Sequence, residues 1–428
     1  MKYLCELTLE IQLDNKTFKN YLFFWVGQIV SIFGSSIVFF VLVWWITDTT
    51  QDPIAISTAI FTYFIPMIIF SPIAGIVADR YDRRKLILLV DSLQAFSTFI
   101  LILFFIFNLM QFWILLIFVA IRSTCQAFHT PTANAIIPTM VPKDRLSRIN
   151  GINFLFTSFV NVIGPVVGGF LLLFFTIQEA LWIDIITFLI ALLPLLLIKI
   201  PRVKKLPEKH ERDSFRTSFK EGVNIIHGIS GLLSMMIAFM ILNFLYAPQG
   251  TLMAYFVKVD HGGTVLAFAL VSMAYNIGMF IGGITTSVKK NWKHKMRMIY
   301  VAYIIMSIGS ILLATTPTGN IPLLMIYSSI IGLTLPIISS LYFTIIHLKV
   351  PHDKVGRVLS IDTTLSFVAM PLGTLLAGPL ANAIGTPNLF LISALLAFIT
   401  ITLIYIFSSI RSLDTIKKIE IEEYNESN

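Results

Sequence analysis

Twelve apolar stretches, each long enough to cross a bilayer, limit what this chain can fold into more than anything else in it. They run approximately over 20–46, 54–78, 86–107, 111–133, 148–175, 179–200, 230–256, 264–288, 297–316, 321–348, 358–384 and 388–410. A helix rises about 1.5 Å per residue, so about 20 apolar residues cover a hydrocarbon core roughly 30 Å thick. In lipid the backbone must satisfy its own polar groups, which selects helices for stretches of this length. The expectation is an all-α polytopic membrane protein. Composition agrees: of 428 residues 56% are hydrophobic and only 13% charged, with a mean hydropathy of +0.84. A soluble domain carries about 25% charged residues.

Charge placement orients the spans. Of 31 Lys and Arg, 29 fall on one side of the expected membrane, leaving Lys258 opposite and Arg122 inside the fourth span. That asymmetry puts both termini in the cytoplasm. The net charge of +8 is then a topology signal, and nucleic acid is not expected as a partner. Met1–Lys19 is polar and interrupted, unlike a cleavable signal peptide. The two cysteines, Cys5 and Cys125, suggest neither a disulfide framework nor a metal site. No Gly-Lys-Ser/Thr phosphate loop, His-Glu-x-x-His or Gly-x-Ser-x-Gly occurs. The chain is therefore read as having no catalytic residues, cofactor or metal.

The second half echoes the first. Val141-Pro142-Lys143-Asp144-Arg145-Leu146-Ser147-Arg148 returns as Val350-Pro351-His352-Asp353-Lys354-Val355-Gly356-Arg357, and the same offset carries Gly164 onto Gly373 and Gly169 onto Gly378. The expected organisation is a six-helix bundle over 1–200, a linker over 201–229, a second bundle over 230–410 and a tail over 411–428. In the linker Phe215, Phe219, Val223 and Ile226 recur at helical spacing, which predicts an amphipathic helix on the cytoplasmic surface.

Between the second and third spans lies Gly75-Ile76-Val77-Ala78-Asp79-Arg80-Tyr81-Asp82-Arg83-Arg84-Lys85. A glycine allows a neighbouring helix to come close, and Asp79 can pair with the basic residues or cap a helix. The string resembles the G-x-x-x-D-R-x-x-R-R-K cytoplasmic motif of the major facilitator superfamily. That resemblance implies two pseudo-symmetric six-helix bundles and a conformational latch built on Gly75, Asp79, Arg80, Arg83 and Arg84; Asp362, a turn or two from the cytoplasm, can join it by facing Arg83 across the two-bundle interface or pair with the basic second loop. Gly164-Pro165-Val166-Val167-Gly168-Gly169 resembles the G-P-x-x-G-G core found in drug/proton antiporters of that superfamily. The segment from Ala127 to Arg148, with Gly27-Gln28 and Gly356-Arg357-Val358, is similar to a branch that includes macrolide efflux proteins of Gram-positive bacteria.

Arg122 stands near mid-membrane, where a bare guanidinium costs at least about 2.5–3.5 kcal/mol. It either ties helices together or biases the protonation of a nearby acid, as the resemblance implies for a fourth-helix arginine. Asp184, in the sixth span between Ile183 and Ile185, is either a proton carrier or a solvated carboxylate of the outer vestibule. Asp91 lies a turn or two from the cytoplasm, where it can pair with the basic second loop, and His129 reads as structural. The superfamily places its cavity among the first, fourth, seventh and tenth spans, which nominates Gln28, Gln126, Asn243, Tyr246, Gln249 and Tyr327; aromatic area with a few polar groups suits bulky amphipathic compounds.

The function these readings imply is export of an amphipathic, macrolide-like drug by proton antiport with alternating access, from a bacterial plasma membrane and by a monomer. The partners are the drug, protons and the lipid bilayer. The same fold exporting a siderophore or flipping a lysophospholipid stays open, as does an intramembrane enzyme or a sensor.

Overall fold

Reversing the chain after the second apolar run takes two residues, Tyr81 and Asp82. In the computed structural model, which describes residues 2–142, 145–198, 200, 215–289, 292–351 and 354–414, helices account for almost every described position. They are α1 (Lys2–Thr50), α2 (Pro53–Arg80), α3 (Arg83–Ile106), α4 (Phe112–Met140), α5 (Leu146–Phe174), α6 (Ile177–Leu197) and α7 (Phe215–Gly228). They continue as α8 (Leu232–Tyr255, prolonged by a π turn over Phe256–Asp260), α9 (Val265–Val288), α10 (Lys295–Ala314), α11 (Ile321–Lys349), α12 (Val355–Ile384) and α13 (Thr386–Phe407). All but α7 contain a stretch long and apolar enough to cross a membrane, twelve in total among the described residues.

The charged string of residues 75–85 is mostly helix rather than loop. Asp79 and Arg80 close α2, while Arg83, Arg84 and Lys85 open α3. Asp82 caps α3 by accepting from the backbone N–H groups of Arg84 and Lys85 at 3.1 and 3.2 Å. Cations at a helix start oppose its dipole, and the two arginines reach away from it. Arg84 donates through Nε and Nη2 to the carbonyls of Leu195 and Leu196 at 2.7 and 2.6 Å. Those carbonyls belong to the unsatisfied end of α6. Arg83 donates to the Ala78 and Ala135 carbonyls at 3.3 and 2.7 Å, and its Nη2 stands 3.7 Å from Asp79. The motif therefore ties together the ends of four helices, above a core of Tyr21, Phe24, Ile87, Ile136, Met140 and Leu195.

The sequence echo is also a structural one. α4 and α11 begin at Phe112 and Ile321 and end at Met140 and Lys349, both separations being 209 residues. α5 and α12 begin at Leu146 and Val355, again 209 apart.

Packing divides the chain into two compact units. One comprises Met1–Lys209, Thr251–Asn276 and Ala377–Ala383, the other His210–Gly250, Ile277–Leu376 and Ile384–Asn428. Within the first, α1 packs on α5 and α6, α2 on α4, and α3 on α4 and α6. Lys258 joins the α1 end of this unit, with Nζ 2.6 Å from Asp48 and 5.2 Å from the Trp44 ring centroid. Within the second, α10 packs on α11 and α13. Here α9 and α11 approach so closely at Gly278 and Gly282 that a Cβ would stand 2.0 and 2.2 Å from the carbonyl oxygens of Ser329 and Leu333.

The linker helix α7 has the predicted periodicity, with Ile226 buried and Phe219 exposed. Rather than lying free, it is pinned within the second unit. Glu221 pairs with Lys354 and Arg357 at the start of α12, and Gly222 faces Ile361.

Candidate functional site

Polar residues on α3 and α4 recur with the helical period inside otherwise apolar spans. On α3 they are Asp91, Gln94 and Thr98; on α4 they are Arg122, Gln126 and His129. Spacings of three and four place each set on one helix face. Together with Ser31, Ser35, Ser36 and Phe39 of α1 and Tyr63 of α2, the two faces line a cavity of about 330 Å³ within the first unit, Thr98 excepted.

Arg122 lies in the cavity wall, and Asp184 of α6 lies behind it. Arg122 Nη1 is 2.7 Å from Asp184 Oδ2, with side chains 11% and 5% exposed. Thr98 Oγ1 donates to the same Oδ2 at 2.6 Å and accepts from Arg122; Ser35 Oγ donates to Oδ1 at 3.3 Å. Gln94 Nε2 in turn donates to Ser35 at 2.9 Å. The carboxylate thus has a charge partner and two hydroxyl donors, the satisfaction that a buried charge requires. Between the two sequence alternatives for Asp184, the geometry gives a carboxylate paired inside the helix bundle, not one bathed in a vestibule. Thr98, Ser35 and Gln94 were absent from the sequence candidates. Their signal was the polar stripe on α1 and α3, which becomes visible only once the residues are read by helical phase.

Asp91 pairs with His129, not with the basic loop: His129 Nε2 is 3.5 Å from Asp91 Oδ1 and 2.7 Å from Gln28 Oε1. Arg83 and Arg84 donate to backbone carbonyls, and His129 on the adjacent helix α4 stands beside Asp91. Asp362 is buried and accepts from Tyr342 on α11, and Arg83 is taken by Asp79, Ala78 and Ala135. Gly75 permits no close approach, since nothing lies within 4 Å of where its Cβ would be. Arg80 closes α2 and is exposed.

The glycines of α5 do make close contacts. A Cβ at Gly164 would meet Ser36 Oγ at 2.3 Å, one at Gly168 Phe40 Cδ1 at 2.9 Å, and one at Gly169 Ala269 Cβ at 2.5 Å. Pro165 sits inside the helix between them. Of the cavity candidates, Gln126 lines the cavity and Gln28 is buried against His129. The other four belong to the second unit. Asn243 donates to Phe239 on its own helix, Tyr246 bonds Ser307 at 2.8 Å, and Gln249 accepts from Ser310 at 2.9 Å. Tyr327 is half-buried on α11. These hydrogen bonds hold α8 against α10.

Twelve helices long and apolar enough to cross a membrane, in a repeated pattern, with a charged pair buried beside a cavity, make a polytopic membrane protein. The model of the Major Facilitator Superfamily matches residues 24–374, and the chain belongs to that family. It is 25% identical over 391 residues to macrolide efflux protein A of Streptococcus pyogenes, covering 91% of this chain and 96% of that one. It is 22% identical over 396 residues to the multidrug efflux pump Tap of Mycolicibacterium fortuitum, covering 90% and 95%. Among solved structures, a bacterial homologue of the iron transporter ferroportin in an inward-facing state superposes with a TM-score of 0.68 at 14% identity, over 90% of this chain and 98% of that one. At that identity the likeness concerns the fold.

Proposed function

We propose that this protein exports an amphipathic small molecule of the macrolide class across a bacterial plasma membrane, driven by proton entry. The observation that carries the reading is the buried Arg122–Asp184 pair at 2.7 Å, its arginine in the wall of a cavity, in a chain similar to macrolide efflux protein A over most of its length. A pair with hydroxyl support can alternate between an intact ion pair and a protonated acid, which is the chemistry a proton-driven carrier needs. Rocking of two six-helix bundles would expose the cavity to either side, with residues 75–85 as part of the cytoplasmic latch and the α5 glycines as a tight-packing hinge face. The protein would work as a monomer in the bilayer.

The test is antibiotic susceptibility of a pump-deficient host expressing the chain, with and without a protonophore. Raised resistance to macrolides that the protonophore cancels is expected; unchanged susceptibility across macrolides and other amphipathic antibiotics would sink the proposal.

Orientation is checked separately. In a background lacking Cys5 and Cys125, a thiol at Asn320 is expected to react with an impermeant reagent outside intact cells, and one at Lys209 is not. The opposite pattern would reverse the assignment of sides.

A further inference from the structure

The cavity of the first unit is sorted along its length. On α1 its wall carries Ser31, Ser35 and Ser36 at one end and Leu42, Val43 and Ile46 at the other. At about 1.5 Å per residue the two groups are centred roughly 15 Å apart. Gly164 and Gly168 of α5 face Ser36 and Phe40, so the wall residue Asn161, one turn before Gly164, falls level with the serines. Gln94 joins the same end by donating to Ser35. Between the two zones Phe39 and Tyr63 meet edge on, with ring centroids 6.0 Å apart.

The charged side chains of the polar end are already engaged. Arg122 pairs with Asp184 at 2.7 Å, and Asp91 faces His129 at 3.5 Å. What is unspent is neutral. Among the described residues, the hydroxyls of Ser31 and Tyr63 and the amide of Asn161 make no hydrogen bond, though all three residues line the cavity. Each of these groups both donates and accepts. An apolar surface laid over them would strip their water and replace none of its bonds, which is costly for every such group. An anion would call for an unpaired cation, and a cation for an unpaired carboxylate. The groups that match are hydroxyls and ether oxygens, crowded so that donors and acceptors alternate. Phe39, exposed on the wall, offers a ring face against which the C–H side of a sugar can pack.

We infer that this end of the cavity binds a neutral glycosyl group, and that the protein selects its substrate by that sugar rather than by the apolar body attached to it. Ser31, Tyr63 and Asn161 bond the sugar's oxygens, Phe39 takes its C–H side, and Leu42, Val43 and Ile46 take the start of the aglycone. A cavity of about 330 Å³ stands at the small end of the roughly 300–1,000 Å³ usual for drug-sized ligands. It therefore admits one portion of a bulky compound, and the chemistry of its wall selects which. The identity of the body, a macrolide lactone, rests on the export reading above; the choice of a sugar rests on the wall alone.

The experiment is equilibrium dialysis against the full-length protein in nanodiscs, with two pairs of probes. One pair is erythromycin and its derivative lacking the neutral sugar; both keep the amine, so charge is held constant. The other is 4-methylumbelliferyl β-D-glucoside and the methyl ether of the same coumarin. In each pair the glycoside is expected to bind about tenfold tighter than its sugar-free partner, the effect of one to three hydrogen bonds. Tyr63→Phe, Ser31→Ala and Asn161→Leu are each expected to weaken the glycoside by roughly threefold to tenfold and to leave the sugar-free partner unchanged. These side chains bond nothing within the described protein, so an unaltered melting temperature is expected, and if one variant fails to fold the other two carry the test. In any pair that binds, equal affinity of its two members, or variants that weaken both alike, would overturn the sugar site while leaving the macrolide reading to stand wherever the lactones bind. Preference for the glucoside with neither lactone bound keeps the sugar site and removes the macrolide. Binding of none of the four probes removes both.

Discussion

Arg122→Gln is expected to abolish proton-driven efflux and to lower stability, and Asp184→Asn in the same chain is expected to recover most of the stability without the transport. Removing one partner of a buried ion pair leaves the other charge unpaired, at a cost of about 3–5 kcal/mol. The guanidinium lies 2.7 Å from Asp184 and also donates to Thr98, so its loss exposes both. Neutralising Asp184 as well removes the orphaned charge, and the double variant should be more stable than the sum of the single ones by over about 1 kcal/mol. If the intact pair defines one end of the transport cycle, shifting that end by about 3 kcal/mol changes proton-driven efflux on the order of 10²-fold. Downhill substrate counterflow should persist. Arg122→Lys is expected to retain part of the activity, since it keeps the charge without the planar fork. Expression, melting temperature, counterflow and proton-driven efflux measured on the same variants decide the matter. A well-expressed Arg122→Gln protein with wild-type efflux and pH profile would remove Arg122 from coupling.

Gly278→Ala is expected to damage the fold more than any change in the glycine of the charged motif. Its Cβ would stand 2.0 Å from the Ser329 carbonyl oxygen and 2.9 Å from the Leu333 nitrogen, both backbone atoms of α11. Backbone has no rotamer by which to move aside, so the two helices must separate along their contact. Overpacking of this kind costs about 1–3 kcal/mol, a loss of roughly 1–4 °C in melting temperature for a chain of this size. Gly75→Ala gives the opposite result. Gly75 lies inside α2 with open space around it, and alanine in a helix is favoured over glycine by about 0.5–1 kcal/mol. An unchanged or slightly raised melting temperature is expected there. Equal melting of Gly278→Ala and wild type, measured in detergent, would contradict the close packing of α9 on α11.

Much of this protein follows from local properties of its chain. Twelve spans are determined by apolar length, because a backbone in lipid has no water to bond and must close its hydrogen bonds within the helix. The 209-residue offset between the halves reappears as matched starts and ends of α4 and α11, since caps and breakers act within a few residues. The solitary basic residue at mid-membrane could be recognised as a partner in need of an acid for the same reason: its cost there depends on depth, which hydropathy reports. Tertiary structure alone decided which acid. Asp91 and Asp184 were both within reach in sequence terms; Asp184 won because α3 and α4 pack so that Thr98 and Arg122 converge on α6, leaving Asp91 to His129. Gly75 and Gly278 carry the same local information and have opposite surroundings, because the distance to a neighbouring helix is a property of the packing and is written in no single residue. The motif arginines likewise bind backbone carbonyls, Ala135 within α4 and Leu195 and Leu196 at the end of α6, acceptors that only the assembled bundle brings within reach.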